Sequence, residues 1–224
     1  AMPSPGHRDN VPSGTDTRVV ITRVSNTMDK PFSQACVNNQ TAICQVLERI
    51  FIGKKNVLEV GSGTGQHGVW FAKKLPHLTW QMSDREQNHA GINGWVSDEP
   101  APNLLAPILL DVLSDPWPAG PYDAVYSANT AHIMPWLAVA AMFSGVGQGL
   151  SSGGMFCLYG PFKYLGVLDA PTNIEFDYRL RQQSAHQGIR EFHELNQLAM
   201  DAGLALREDN TMPANNRLIV WQKH

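Results

Sequence analysis

From residue 54 onwards, short apolar runs alternate with helical stretches. The run NVLEV (Asn56–Val60) is followed by the helical GQHGVWFAKKL, and LTWQMSD, ending in Asp84, by REQNHAGINGWVSD. APILLDV predicts a third strand ending at Asp111, YDAVYSANT a fourth with a helix through MPWLAVAAMFSGVGQGL, and GGMFCLYGPF a fifth. Strands separated by helices of this length pair in parallel under helices on both faces. NIEFDYRLRQQ and REFHELNQLAMDAG read as further helices. The final segment, LALREDNTMPANNRLIVWQKH, breaks the rhythm with two strands joined by the polar turn Met212–Asn216, a connection short enough to require an antiparallel pair. The expectation is an α/β fold: a mostly parallel seven-stranded sheet, closed by an antiparallel hairpin and covered on both faces by helices.

Ahead of this pattern, residues 1–17 are rich in Pro, Gly and Ser and predict a flexible tail. Residues 18–53 predict a strand at RVVITRV and then a helix from Pro31, with Phe32, Cys36, Ile43, Val46, Leu47 and Ile50 on one face and Gly53 after its end. This piece is expected to act as a lid on the domain at 54–224. A net charge of -3 with no long Lys/Arg run speaks against nucleic acid as principal partner. No window is apolar enough for a membrane span, and the first residues lack the apolar core of a secretory leader, so the expected location is the cytoplasm. Cys36, Cys44 and Cys157 are odd in number and show no C-x-x-C, which predicts buried free thiols; the eight histidines form no metal motif, and no metal is expected.

The turn after the first strand, VLEVGSGTGQHG, carries the chemistry. Glycines there let the chain turn sharply and a ligand come close to the backbone, with the next helix's N–H groups facing it. A triphosphate loop needs Lys after its last glycine, but Val69 follows Gly68. A dinucleotide fingerprint needs glycine at position 66, which is Gln. The pattern present is Glu59-x-Gly61-x-Gly63-x-Gly65, which resembles the first motif of class I methyltransferases. That resemblance implies S-adenosylmethionine as cofactor, held by Glu59, Gly61, Ser62, Gly63, Gly65 and His67. It also implies Asp84 at the ribose hydroxyls and Asp111, with Val112, at the adenine amino group. Each acid taken alone also reads as a polar strand end.

LEVGSGTGQH, WQMSD, NTAHI, LYGPF, NIEFDYRLR, GIRE and MPANN together resemble a family of methyltransferase-like proteins known as a domain of unknown function, over about residues 29–223. The resemblance implies the fold and the cofactor and names no acceptor. In open α/β sheets the acceptor belongs beyond the carboxyl ends of the strands. There lie Asn129, as a cofactor or acceptor contact or a helix cap, His132 as candidate general base, and Tyr159. NTAH lacks the prolines of methyltransferases that act on adenine or glutamine amides. Asn173, Asp177 and Arg181 would share one helix face, and Asn215 and Asn216 sit in the terminal turn; these are candidate acceptor contacts, each with a solvated-face or turn-forming alternative. His67 is open between a cofactor contact and a cap.

The reading is methyl transfer to a small molecule, since no basic face, nucleic-acid module or sizeable insertion points to a larger acceptor. An NAD(P)-dependent oxidoreductase, a non-catalytic S-adenosylmethionine-binding protein and a non-methylating enzyme with that cofactor are the alternatives. Exposed apolar helices would allow a homodimer without requiring one.

Overall fold

The structure is a computed structural model that describes residues 30–224. The expected tail (1–17) and the expected strand at RVVITRV lie outside the described residues.

Helix α1 (Gln34–Ile50) is capped by Ser33, whose side chain accepts the Cys36 N–H, and its buried stripe is Asn39, Ile43, Cys44, Leu47 and Ile50. Phe32 lies ahead of the helix and is exposed, contrary to its expected place on the buried face. Gly53 takes φ 73° in the turn that leads into the sheet. The chain then follows β1 (Asn56–Val60), α2 (Gln66–Lys74), β2 (Thr79–Asp84), α3 (Glu86–Asp98), β3 (Leu104–Leu109), β4 (Tyr122–Ala128), α4 (Trp136–Gly149) and β5 (Leu150–Gly160). The third strand corrects the expectation: it starts and stops earlier, so Asp111 lies in the turn beyond it. Leu110 still donates its N–H to Asp84 O, which holds that turn beside the end of β2.

After β5 come β6 (Phe162–Lys163), α5 (Pro171–Gln183), β7 (Arg190–Glu191), α6 (Phe192–Asp201), β8 (Leu204–Met212) and β9 (Asn216–Lys223). The sheet order is β3-β2-β1-β4-β5-β9-β8, with β6 and β7 forming a separate parallel pair. Strands β1 to β5 pair in parallel; β9 runs antiparallel to both β5 and β8. The mostly parallel seven-stranded sheet with an antiparallel terminal hairpin is therefore the observed fold.

Two apolar cores flank the sheet. Helices α1, α2 and α3 cover one face around Phe71, Trp80 and Tyr126, whose rings meet edge-on or tilted at 5.4–5.8 Å. On the opposite face α4 and α6 pack around Phe143, Phe156 and Trp221. Truncating Trp80 or Trp221 to Ala should cost about 3–5 kcal/mol, since both are fully buried. Trp117 is half-buried against α4, where its ring leaves no room for a side chain at Gly145 or Gly149. Helix α5 belongs to neither core. Only Leu180 is buried on it, because it lies over the carboxyl end of the sheet.

The chain runs outward from β1 to β3, then returns to the other side of β1 as β4. Loops leaving β1 and β4 diverge at this switch point and open a crevice there.

Candidate functional site

A cleft of about 1130 Å³ occupies that crevice. One wall is the glycine loop. Gly61 has φ 71°, and a Cβ on it would meet Thr130 Cγ2 at 2.6 Å, so any other residue would displace the turn after β4. Gly63 has φ 60° and faces open space. Gly65 (φ 90°) caps α2 against Ile92 and does not line the cleft. Glu59, Gly61, Ser62, Gly63 and His67 do.

Asp84 ties this loop to β2. Its Oδ2 accepts the Gly63 N–H and its Oδ1 the Arg85 N–H, both at 2.7 Å. Each carboxylate oxygen keeps a further lone pair for a ligand hydroxyl. Asp111 and Val112 line the next stretch of wall; Asp111 Oδ1 accepts the Leu113 N–H at 3.0 Å. Asp84, at the end of β2, and Asp111, in the turn after β3, thus both present carboxylates to the cleft.

Glu59 lies beneath them, buried and bonded by Trp80 Nε1–H at 2.8 Å. Burial raises its pKa to about 8 against the pull of the Trp80 and Ser62 hydrogen bonds, and the charge of Asp84 adds to the rise. At neutral pH Glu59 is therefore a carboxylic acid in the folded chain.

His67 has both ring nitrogens engaged. Nε2 pairs with Asn39 Oδ1 (2.7 Å), an acceptor, so Nε2 carries the proton and Nδ1 accepts from the Tyr126 hydroxyl (3.1 Å). This leaves no ring nitrogen for a ligand and makes His67 a buried link between α1, α2 and β4. Its neighbour Gln66 grips the start of α1 through Ser33, accepting the N–H at 2.6 Å and donating to the carbonyl at 3.3 Å. Helix α1 thereby contributes Ser33, Ala35, Cys36, Asn38 and Asn39 to the wall.

Across the switch point, Asn129 adopts φ 56° and donates its N–H to Tyr159 O. It does not cap α4, which starts seven residues later behind Pro135. His132 follows in the turn, buried, with its ring edge-on to Phe176 at 5.2 Å. Burial lowers its pKa to about 4, and the charge of Arg190 pushes the same way. Arg190 also braces the turn, donating to Ala131 O (2.9 Å), Met134 O (2.5 Å) and His186 O (2.7 Å). Tyr159, at the end of β5, has its pKa raised by burial, partly offset by the amides of Asn39 and Asn216.

The far end is closed by α5 and the hairpin turn. Asn173 donates to Asn215 O at 3.1 Å and Asn215 donates to Thr172 Oγ1 at 3.4 Å; Asn173, Asn215 and Asn216 line the cleft. Asp177 and Arg181 are not brought to it. They pair at 2.9 Å, and Asp177 Oδ1 accepts the Ile189 N–H, so they fasten α5 to the loop that follows it. Sequence reasoning missed Arg85, Asn88, Phe176 and Gln187, all on the lining. Gln66 was legible only as part of the family-like GQH. For Phe176 and Gln187 no local signal exists, since only α5's position over the sheet turns them inward. Among the described residues no group of three or more His, Cys, Asp or Glu side chains could hold a metal ion, and no helix is long and apolar enough to cross a membrane.

Sheet order, glycine loop and paired acids at the switch point define a Rossmann-like class I methyltransferase fold. Within it, the chain belongs to the family described as "Protein of unknown function (DUF938)", whose model matches residues 30–223. Solved structures of similar fold include an O-methyltransferase family 2 protein from Planctomyces limnophilus DSM 3776 in complex with apigenin. It is 18% identical with a TM-score of 0.75, over 85% of this chain and 58% of that one. PigF with SAH is 16% identical (TM-score 0.69; 81% and 54% covered), and the mitomycin 7-O-methyltransferase MmcR 15% identical (TM-score 0.71; 83% and 54% covered). This chain therefore spans 54–58% of the length of these three structures.

Proposed function

We propose that the protein binds S-adenosylmethionine and methylates a small molecule, with His132 as the base. The observation that carries this reading is the division of the cleft at the switch point. The glycine loop, Asp84 and Asp111 form one half, while His132 and Tyr159 belong to an amide-lined second half. At about 1130 Å³ the cleft exceeds the roughly 300–1,000 Å³ of a single-ligand pocket, so it has room for cofactor and acceptor together.

The residues present suit this cofactor. Open space at Gly63 admits the amino-acid moiety, the free lone pairs of Asp84 suit a ribose diol, and Asp111 suits an exocyclic amine. Once bound, S-adenosylmethionine supplies a methyl group made electrophilic by its positively charged sulfur. Asp84 and the loop hold the nucleoside; α1 and α5 keep water away from the reacting end. His132 is unprotonated at neutral pH and takes the proton that an acceptor hydroxyl sheds as it is methylated. Burial and Arg190 make it a weak base, suited to a proton released as the new O–C bond makes that hydroxyl strongly acidic. Support from relatives is consistent: one protein of the same fold holds SAH and another apigenin.

Calorimetric titration with S-adenosylmethionine, S-adenosylhomocysteine and NADH tests the cofactor. Binding of the two sulfur nucleosides alone is expected; binding of NADH alone would make the protein an oxidoreductase. His132→Ala should leave cofactor affinity intact and lower turnover by about 10²–10⁴.

A further inference from the structure

Every charged carboxylate and guanidinium that lines the cleft, among the described residues, belongs to the β1–β3 half: Asp84, Arg85 and Asp111, with Glu59 beside them held protonated by burial. Beyond β4 the polar lining carries no charged side chain: it is amides and hydroxyls, among them Asn129, Tyr159, Asn173, Asn216 and Gln187, with a His132 that stays neutral above about pH 4. A charged acceptor would lose its hydration there and find no charged group on the lining to pair with. Arg190, whose charge reaches His132, lies off the lining and is committed to three backbone carbonyls. Amides and hydroxyls instead satisfy a neutral polar molecule.

Two buried side-chain polar atoms lack a partner among the described residues: Trp117 Nε1 and Gln187 Oε1. The indole lies against Gly149 of α4, away from the cleft. Gln187 lines it, and the next residue, Gly188, donates its N–H to His132 O at 3.0 Å, so Gln187 is tethered beside His132. Native chains rarely leave a buried carbonyl oxygen without a donor; an ordered water or a bound molecule supplies one, and Gln187 stands where a molecule in the cleft can displace that water.

We propose that Gln187 is an acceptor-binding residue, and that the acceptor is an uncharged molecule carrying a hydrogen-bond donor close to its reacting atom. This rests on the methyltransferase reading for the identity of the site, while the recognition itself is a property of Gln187 and the uncharged wall. It separates neutral hydroxylated or amide compounds from carboxylates, phosphates and amines.

The test is NMR titration of the full chain saturated with S-adenosylhomocysteine, using phenol, benzamide, anisole, benzoate, benzylammonium and phenyl phosphate as probes. Phenol and benzamide should shift the His132 and Gln187 side-chain signals, and the three charged probes should not. Anisole, which has no donor, should bind about ten-fold more weakly than phenol. Gln187→Met, close in shape but lacking the amide, should bring phenol down to the affinity of anisole, with S-adenosylhomocysteine binding unchanged. Charged probes acting at the same residues, equal affinities for anisole and phenol, an inert Gln187→Met substitution, or no probe shifting either signal would each overturn the proposal. If S-adenosylhomocysteine itself fails to bind, the cofactor reading falls, and the same probes titrated into the free protein still decide the role of Gln187.

Discussion

Burial shifts the protonation of His132, like that of His67, in one direction and that of Glu59 in the other. A histidine with an ordinary pKa would be half charged near pH 6.5, and a glutamic acid would be ionised at neutral pH. Here burial leaves the histidine free to accept a proton and the carboxyl holding one. The positive Arg190 beside His132 disfavours a second positive charge, so removing it with Arg190→Met should raise the His132 pKa part of the way back. NMR titration of the imidazole should find a midpoint near 4 in the native protein; a midpoint near 6.5 would refute the environment described. Gly61 is constrained by geometry alone. Gly61→Ala combines a left-handed φ with a clash at Thr130, at an expected ~1–3 kcal/mol, and should weaken S-adenosylmethionine binding by calorimetry without unfolding the chain. The glycine spacing was legible in the sequence because glycine is the residue that adopts such angles without steric cost. Asn129 at φ 56° was not, since asparagine serves many other local roles.

Two family-like motifs prove to be fasteners between elements. GQH holds α1 over the cleft: Gln66 grips Ser33 at the helix start, and His67 joins Asn39 to Tyr126. GIRE straps the opposite side. Gly188 bonds to His132 O, Ile189 to Asp177, Arg190 to the carbonyls of the 130–134 turn, and Glu191 accepts the N–H groups of Leu165 and Gly166. Asn39→Ala would leave the His67 Nε2–H buried without a partner, at a cost of about 1–3 kcal/mol. Amide exchange over residues 34–39 should then quicken, while 43–50, anchored by Ile43, Leu47 and Ile50 in the core, stay protected. Equal acceleration along all of α1 would show that the clasp does not act locally. Helix α1 was readable from its apolar spacing. Its grip on the glycine loop was not, because residues 33 and 39 meet 66 and 67 only through the tertiary fold.

At the scale of the whole molecule, three buried groups set the dependence of stability on pH. His67 and His132 fall from 6.5 to about 4 on folding, so the unfolded chain alone takes up those protons and stability is lost as pH drops from 6.5 towards 4, by up to ~3 kcal/mol each. Glu59 rises from 4.5 to about 8, so the unfolded chain alone releases that proton and stability is lost as pH climbs between those values. Below pH 6.5 the two histidines outweigh the one carboxyl; above it the carboxyl acts alone. Urea unfolding at a series of pH values should therefore show a maximum near pH 6.5, and Glu59→Gln should remove the decline on the alkaline side. A decline that survived this substitution would assign it to other groups. The sequence by itself determined the alternation of strands and helices, the antiparallel ending and the glycine loop, because backbone geometry and hydrophobic periodicity act over a few residues. Which acids stand together, that Asp177 and Arg181 turn to each other and away from the cleft, and that Gln187 faces it were decided only by tertiary structure. Those arrangements depend on strand order and on where α5 comes to rest, contacts between separate segments of the chain that no local pattern encodes.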